Sequence, residues 1–241
     1  MITDLLSRAK NYPYPIPNSS YIFQDGRVSE ITTRRRVIDL NKRTPVLAVG
    51  SNQSPIQLGR KFQGRNWGPI PVLRIRLHGF DVAYSAHIAS YGAIPATLQE
   101  SQNVQATLFV NWLDEAQLTR MHHTEITDGN YGFGLLVNLN IDVETGPSLN
   151  KVFTYVSKHG TLCDMIGPIL VSKVSSRKRR RPGFSQLEVQ KFARDKIAPD
   201  FGINQFIQTS IDYPEIRLQR SERLKVMAQH FIPKWFEEIR I

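Results

Sequence analysis

Residues 46–55 read VLAVGSNQSP, a short apolar run that stops at a polar turn. Four consecutive apolar residues are typical of a strand that is buried on both faces. Ser54 suits the cap position of a following helix, and Pro55 suits its first turn. The sequence therefore predicts a strand, a tight polar loop and a helix N-terminus, an order that directs unpaired backbone N–H groups at whatever occupies the loop.

Further runs of alternating apolar residues follow this loop and predict a strand-rich domain. These runs lie at 72–77, 80–84, 106–110, 135–139 and 152–156. A helix is predicted over 114–121, where the apolar residues share one side. Many strands with few helices, and a helix directly after the first strand, favour an α+β fold built on a mixed β-barrel.

The segments on either side of this domain differ from it in character. Residues 1–44 predict an N-terminal arm that packs on the barrel, because the prolines of YPYPIP at 12–17 favour extended backbone. Asp25-Gly26 within the arm predicts a hairpin turn. Residues 173–241 predict a basic loop and a helical C-terminal extension, with helices at 185–197 and 221–236. We therefore expect an arm at 1–44, a central domain at 45–172 and an extension at 173–241.

The composition is that of an ordinary globular protein of 241 residues, 41% hydrophobic and 22% charged. No apolar run approaches the roughly 20 residues that a membrane-spanning helix needs, and the N-terminus does not resemble a secretion signal. We therefore expect a cytoplasmic protein with no membrane partner. The single cysteine, Cys163, excludes an internal disulfide and a multi-cysteine metal site, and we expect it to be an ordinary thiol.

The formal net charge of +10 favours anionic partners. Much of the excess lies in two clusters, Arg34-Arg35-Arg36 and the five basic residues at 177–181. Basic clusters are more often solvated surface than binding sites, so nucleic acid stays a candidate partner that the sequence does not favour. The sequence indicates no oligomeric state.

No familiar cofactor or metal motif is present. Gly132-Phe133-Gly134 lacks the third glycine of a dinucleotide loop, and no phosphate-binding Gly-Lys-Ser/Thr occurs. Neighbouring histidines on a helix point in different directions, so His122-His123 is a poor metal site. We predict neither cofactor nor metal. A Ser-His-Asp triad stays open, although Ser51 does not lie in a Gly-x-Ser-x-Gly elbow.

Four motifs in order resemble those of the γ-glutamylcyclotransferase-like family. The first, VLAVGSN at 46–52, resembles the family's Tyr-Gly-Ser-Asn strand and loop. LHGFDVAY at 77–84 looks like its hairpin, and YGAIPAT at 91–97 looks like its small-residue substrate loop. WLDE at 112–115 then leads through a helix to a glutamate and a tyrosine. Together the motifs cover about residues 45–160. The aromatic that usually opens the first motif is Val49 here, and the arm and the extension lie outside the minimal family domain.

The resemblance implies an amide-cleaving cyclotransferase. In this chemistry the free α-amine of a γ-glutamyl group attacks its own γ-carbonyl, which closes 5-oxoproline and expels an amine or amino acid. The attacking nitrogen must lose a proton, the leaving nitrogen must gain one, and the oxyanion needs donors. By the resemblance, Glu125 is the catalytic acid and base. The substrate-binding residues that it implies are Val49, Gly50, Ser51, Asn52, Tyr91, Pro95 and Tyr131.

Simpler interpretations of these residues stay open. Glu125 precedes the turn at 127–130, so a surface carboxylate or a salt-bridge partner fits the same pattern. The loop at 50–52 is also consistent with a plain turn, and Tyr131 with the core. The alternative function is a non-catalytic scaffold of the same fold whose basic extension contacts an anionic partner such as nucleic acid. The run at 177–181 and the aromatics Phe231, Trp235 and Phe236 motivate it.

Overall fold

The computed structural model describes residues 2–31, 39–230 and 233–241, so the cluster Arg34-Arg35-Arg36 and Phe231 lie outside the described residues. The helices are α1 (Ile2–Lys10), α2 (Pro55–Lys61), α3 (Glu115–Glu125), α4 (Gln186–Ile197), α5 (Ile203–Asp212) and α6 (Pro214–Lys225). The strands are β1 (Tyr21–Gln24), β2 (Arg27–Glu30), β3 (Thr44–Ala48), β4 (Ile70–Tyr84), β5 (Ala96–Leu113), β6 (Tyr131–Leu136), β7 (Ile141–Val143), β8 (Val152–Ser157), β9 (Thr161–Leu162), β10 (Ser176–Arg177), β11 (Ala228–Gln229) and β12 (Phe236–Glu238).

Ten of these strands pair in one mixed sheet. Its order is β12-β6-β8-β3-β5-β4-β1-β2, with β7 paired to β4 and β10 paired to β5. Strand β3 lies antiparallel to β5 and parallel to β8. The predicted α+β class is confirmed. Among the described residues the pairing path has two separate ends, β12 and β2, so the closed barrel of the prediction is not confirmed.

The local prediction around residue 50 is confirmed. Alternate residues of β3 enter two different hydrophobic clusters, with Leu47 in one and Val46 and Ala48 in the other. The strand is therefore buried on both faces, as four consecutive apolar residues predict. Helix α2 begins at Pro55 with Ser54 as its N-cap, although the Ser54 side chain makes no capping hydrogen bond.

The predicted strands at 72–77 and 80–84 are the two halves of one long strand. His78 and Phe80 of β4 both oppose Gln105 of β5, so a bulge lies at Gly79. Gly79 has φ +81°, which glycine adopts without strain. The bulge therefore bends β4 without ending it. The loop at 91–95 lies in the connection between β4 and its partner β5.

The other predictions for the first 160 residues have mixed outcomes. The Asp25-Gly26 turn between β1 and β2 is confirmed, and both residues have positive φ. Helix α3 is confirmed, with a capping box between Asp114 and Gln117. The run at 152–156 matches β8, whereas the strand expected at 135–139 lies earlier, at Tyr131–Leu136.

The prediction of a helix over 221–236 is wrong. Helix α6 ends at Lys225, and Phe236 lies in β12, which pairs with β6 and forms one end of the sheet. Pro233 argues against the predicted helix, because proline cannot occupy a helix interior without losing a hydrogen bond, but α6 already ends eight residues before it in a turn at 226–227. The helix over 185–197 is confirmed as α4, which begins with a capping box at Ser185. Helix α5 was not predicted.

The C-terminal helices share the main hydrophobic core with the sheet. Val189 and Ala193 of α4 and Phe206 and Ile207 of α5 are buried in the same cluster as residues of β4 and β5. In the described ranges, no helix has both the length and the apolar character needed to cross a bilayer.

Two residues of the basic run at 177–181 are held by internal ion pairs. The Arg179 Nη2 atom lies 2.6 Å from Oδ1 of the fully buried Asp81, on β4. The Arg181 Nη1 atom lies 2.9 Å from Oδ1 of Asp164. The run is therefore anchored to the fold at two points, and its three other basic residues are exposed, namely Arg177, Lys178 and Arg180.

Candidate active site

All eight residues that the resemblance singled out line one cavity of about 300 Å³. They come from the loop after β3, from the loop before β5, from the end of α3 and from the start of β6. They are Val49, Gly50, Ser51, Asn52, Tyr91, Pro95, Glu125 and Tyr131. The fold thus brings the candidate catalytic residue and the candidate binding loop together, while the role of each residue stays a prediction.

The buried side chain of Gln53 stabilises the loop after β3 by hydrogen bonds to its backbone. Residues Ser51–Gln53 form one turn of 3-10 helix that leads into α2. The buried Gln53 side chain donates from Nε2 to the carbonyl oxygens of Val49, at 3.0 Å, and Gly50, at 3.2 Å. The N–H groups of Ser51 and Asn52 open the turn and therefore have no acceptor within it.

Gly50 is required by a close contact. Its φ of −115° is outside the left-handed region, but a Cβ atom at this position would overlap the hydroxyl group of Tyr12. That hydroxyl accepts a hydrogen bond from the Ala96 N–H at 2.8 Å. Burial raises the pKa of Tyr12 well above its ordinary value, so the hydroxyl keeps its proton at neutral pH.

Glu125 is the last residue of α3 and is held through one of its two oxygens. Asn52 Nδ2 donates to Oε1 at 3.0 Å, and Lys61 Nζ forms an ion pair with the same oxygen. The Lys61 and Glu125 side chains are 6% and 17% exposed. In the described part of the chain both contacts go to Oε1, which leaves Oε2 available to a ligand in the cavity.

Lys61 is a site residue that the sequence analysis missed. It ends helix α2, and its Nζ also donates to Thr124 Oγ1 at 3.0 Å. A nearly buried carboxylate needs a compensating charge, which this ammonium group supplies. A lysine in the last turn of a helix is common on protein surfaces, so no sequence signal marks it.

Four tyrosines line the cavity around the loop and the glutamate, namely Tyr12, Tyr91, Tyr131 and Tyr155. The Tyr131 hydroxyl donates to the Ala96 carbonyl oxygen at 3.1 Å, and the Tyr91 ring lies 6.5 Å from that of Tyr12. Burial raises the pKa of both Tyr91 and Tyr131 well above the ordinary value, so both are neutral at neutral pH. Tyr12 was not predicted as a site residue, because the prolines of YPYPIP indicate only extended backbone and not what the tyrosine side chains contact.

His87 lines the cavity as a neutral imidazole. Its Nδ1 lies 2.7 Å from Ser85 Oγ, and its ring stacks on that of His159 with centroids 4.3 Å apart. Burial lowers the pKa of His87 well below its ordinary value, and the neighbouring His159 lowers it further. Ser85 is a sequence neighbour, but His159 and the burial that keeps the ring neutral come from the tertiary structure, so His87 could not be identified from local pattern.

The cavity wall carries more positive than negative side chains. Its two carboxylates belong to Glu125 and Asp128. Its four basic groups belong to Arg8, Arg60, Lys61 and Arg120. The sequence analysis predicted none of these basic groups for the site.

The single cysteine does not contribute to this cavity. Burial raises the pKa of the Cys163 thiol, and Cys163 is not part of the cavity wall. Within the described ranges, no three His, Cys, Asp or Glu side chains lie together in a way that could hold a metal ion.

No protein-family model matches the chain, and a search of curated proteins finds no match either. Among solved structures, one described as "Gamma-glutamyl cyclotransferase" shares 13% identity, with 80% of this chain and 92% of that chain covered and a TM-score of 0.39. An uncharacterized protein from Homo sapiens shares 12% identity over 80% and 93% of the two chains, also with a TM-score of 0.39. YkqA from Bacillus subtilis shares 14% identity over 71% and 55%, with a TM-score of 0.35. Similarity at this level carries no conclusion about activity, which depends on the residues of the cavity.

Proposed function

We propose that this chain is a γ-glutamylcyclotransferase-type enzyme that releases 5-oxoproline from a γ-glutamyl amide. The observation that carries the proposal is the bond from Asn52 Nδ2 to Glu125 Oε1, 3.0 Å long, at the wall of the cavity. It brings a carboxylate with one unoccupied oxygen next to the loop whose backbone N–H groups can hold an anion.

In the proposed reaction the substrate's α-carboxylate lies at the N–H groups of Ser51 and Asn52. Glu125 Oε2 accepts a proton from the α-ammonium group, whose freed nitrogen attacks the γ-carbonyl carbon and forms the ring C–N bond. Glu125 then gives its proton to the leaving nitrogen, and the original C–N bond breaks. The ring nitrogen loses its second proton through Glu125 to the expelled amine, so that neutral-lactam 5-oxoproline and an ammonium ion are released. The carboxylate ends each turnover as it began.

The same geometry supports the other needs of the reaction. Asn52 and Lys61 hold Glu125 through Oε1, so Oε2 keeps one orientation. Ring closure is unimolecular, and correct placement of the two reacting atoms supplies much of the acceleration. The Tyr12 hydroxyl, which lies against Gly50, is a donor for the oxyanion. Tyr12, from the N-terminal arm, would thus provide a hydroxyl group at the loop where the family motif has a tyrosine and this chain has Val49.

The test is release of 5-oxoproline by wild type and by Glu125→Gln. We expect the rate constant kcat to fall by about 10²- to 10⁴-fold, the usual contribution of a general acid and base. Glu115→Gln, on the exposed first turn of the same helix, is the matched control and keeps the wild-type rate.

Removal of the Glu125 charge alone leaves the buried Lys61 ammonium without its partner and lowers stability. The double variant Glu125→Gln/Lys61→Met removes both charges, so that no unpaired charge stays buried. If it is folded and inactive, the lost activity is due to the missing carboxylate and not to unfolding. A folded Glu125→Gln protein with wild-type kcat would show that the assignment is wrong.

A further inference from the structure

Two arginines reach the cavity from different helices, and each is stacked on a tyrosine ring. The Arg8 Cζ atom, on α1, lies 4.7 Å from the centroid of Tyr91. The Arg60 Cζ atom, on α2, lies 4.4 Å from the centroid of Tyr14. A guanidinium group stacked in this way is held in place while its N–H edge stays available to an anion.

The two stacked pairs belong to one aromatic cluster. The Tyr12 ring lies 6.5 Å from Tyr91 and 6.2 Å from Tyr14. Both arginines are therefore fixed relative to Tyr12, whose hydroxyl contacts the loop at Gly50.

Described residues do not satisfy either guanidinium group. The Nε atom of Arg8 and the Nη1 atom of Arg60 are buried and have no hydrogen-bond partner in the described part of the chain. Arg179 and Arg181, by contrast, each bond a carboxylate. A buried donor without an acceptor costs free energy, and an anion bound in the cavity would supply acceptors to both arginines.

The γ-glutamyl group by itself does not supply that anion. Lys61 is already paired with Glu125. A γ-glutamyl group brings one ammonium and one carboxylate, which balance each other. The two other charged groups of the cavity wall, Arg120 and Asp128, balance each other in number. We therefore expect the charge that compensates Arg8 and Arg60 on the other part of the substrate, the leaving amine.

We propose that Arg8 and Arg60 form a subsite for a doubly charged anionic group on the leaving amine, either a phosphomonoester or a pair of carboxylates. The inference rests on the proposed cyclotransferase function and adds a substrate class to it. Guanidinium groups match both anions, because two parallel N–H groups meet two oxygens of a phosphate or a carboxylate.

The test compares four amides whose leaving groups differ in charge. They are γ-glutamyl-ethanolamine, γ-glutamyl-alanine, γ-glutamyl-aspartate and γ-glutamyl-O-phosphoethanolamine. We expect kcat/KM to be about 100-fold higher for a doubly charged leaving group than for the neutral one, and the difference to shrink as salt is added. The last two amides distinguish paired carboxylates from a phosphomonoester.

Arginine variants connect this preference to the subsite. Arg8→Gln and Arg60→Gln are each expected to reduce the ratio of charged to neutral kcat/KM by about 10-fold or more, the effect of losing a charged hydrogen bond. Arg65→Gln is the matched control, because this guanidinium group also stacks on an aromatic ring, 3.6 Å from the centroid of Trp67, outside the cavity. It leaves the ratio unchanged. Circular dichroism and the melting temperature of each variant report whether it is folded.

Two outcomes overturn the subsite without touching the proposed function. The first is that the wild type has equal kcat/KM for the neutral and the doubly charged amides. The second is that its kcat/KM for γ-glutamyl-alanine equals that for γ-glutamyl-aspartate and γ-glutamyl-O-phosphoethanolamine. If no amide is processed, calorimetric binding of O-phosphoethanolamine tests the subsite by itself. The subsite is supported if Arg8→Gln weakens this binding and Arg65→Gln leaves it unchanged. It is overturned if O-phosphoethanolamine does not bind, or if all variants bind it with equal affinity.

Discussion

At the scale of single residues, Gly50 and Tyr12 form a pair whose fit can be measured. Since a methyl group at position 50 would overlap the Tyr12 hydroxyl, we expect Gly50→Ala to lower the free energy of unfolding by about 1–3 kcal/mol. Tyr12→Phe removes the hydroxyl and also leaves the Ala96 N–H without an acceptor. The double variant should therefore lose less stability than the sum of the two single losses, as urea unfolding can show.

Gly59 is the control for this pair. It lies inside helix α2, where an added Cβ meets only Phe23, at 3.8 Å. Gly59→Ala should leave stability unchanged or raise it by up to about 1 kcal/mol, because alanine is the better helix former. Strict additivity of Gly50→Ala and Tyr12→Phe would contradict the proposed contact.

His87 makes stability depend on pH. Its pKa is lowered in the folded protein by burial, while in the unfolded chain it is about 6.5. Below pH 6.5 this histidine is therefore protonated in the unfolded chain but not in the folded protein. Because the unfolded state binds more protons, the free energy of unfolding falls as pH falls. One histidine contributes a slope of up to about 1.4 kcal/mol per pH unit. His159, whose pKa burial also lowers, acts in the same direction.

We expect His87→Gln to reduce this slope between pH 6.5 and about pH 5. Urea unfolding at several pH values measures it, and exposed His123→Gln serves as the control. An identical slope in wild type and His87→Gln would show that His87 is not held neutral by the fold.

At the scale of secondary-structure elements, the Asp81–Arg179 pair attaches the basic loop after β10 to strand β4. Asp81 is fully buried, and the Arg179 side chain is 12% exposed. Removing one partner leaves an uncompensated charge inside the protein, so Arg179→Met should lower the free energy of unfolding by about 3–5 kcal/mol. Arg180→Met, at the exposed neighbouring position, should have little effect. Equal urea midpoints for the two variants would mean that the pair does not anchor the loop.

At the scale of the whole molecule, the C-terminal helices and the sheet depend on each other. Val189, Ile197, Phe206 and Leu224 are buried in the cluster that also contains residues of β4 and β5. Deletion of residues 173–241 should therefore expose this core, abolish cooperative thermal unfolding and increase binding of a hydrophobic dye. Deletion of only the exposed residues 240–241 should preserve the transition. A cooperative transition in the long deletion would show that the sheet folds without the extension.

Local signals explain which parts of this fold could be predicted. The strand–loop–helix unit around Gly50, the Asp25-Gly26 turn and the caps of α3 and α4 depend on residues a few positions apart. Such interactions act within one segment, so the sequence by itself determined them. The strand β12 was missed because its pairing partner, β6, is distant in sequence, and edge pairing leaves no periodic signal.

The content of the cavity shows what only the tertiary structure decided. Motifs were enough to suggest Glu125 and the loop at 50–52. They did not indicate that Lys61 would form an ion pair with Glu125 or that the Tyr12 hydroxyl would contact Gly50. Thirty-one lysines and arginines look alike in the sequence. Sheet order and helix packing decide which of them face the cavity, as Arg8, Arg60 and Lys61 do. No local pattern encodes this placement, because it depends on contacts between segments that are distant in sequence.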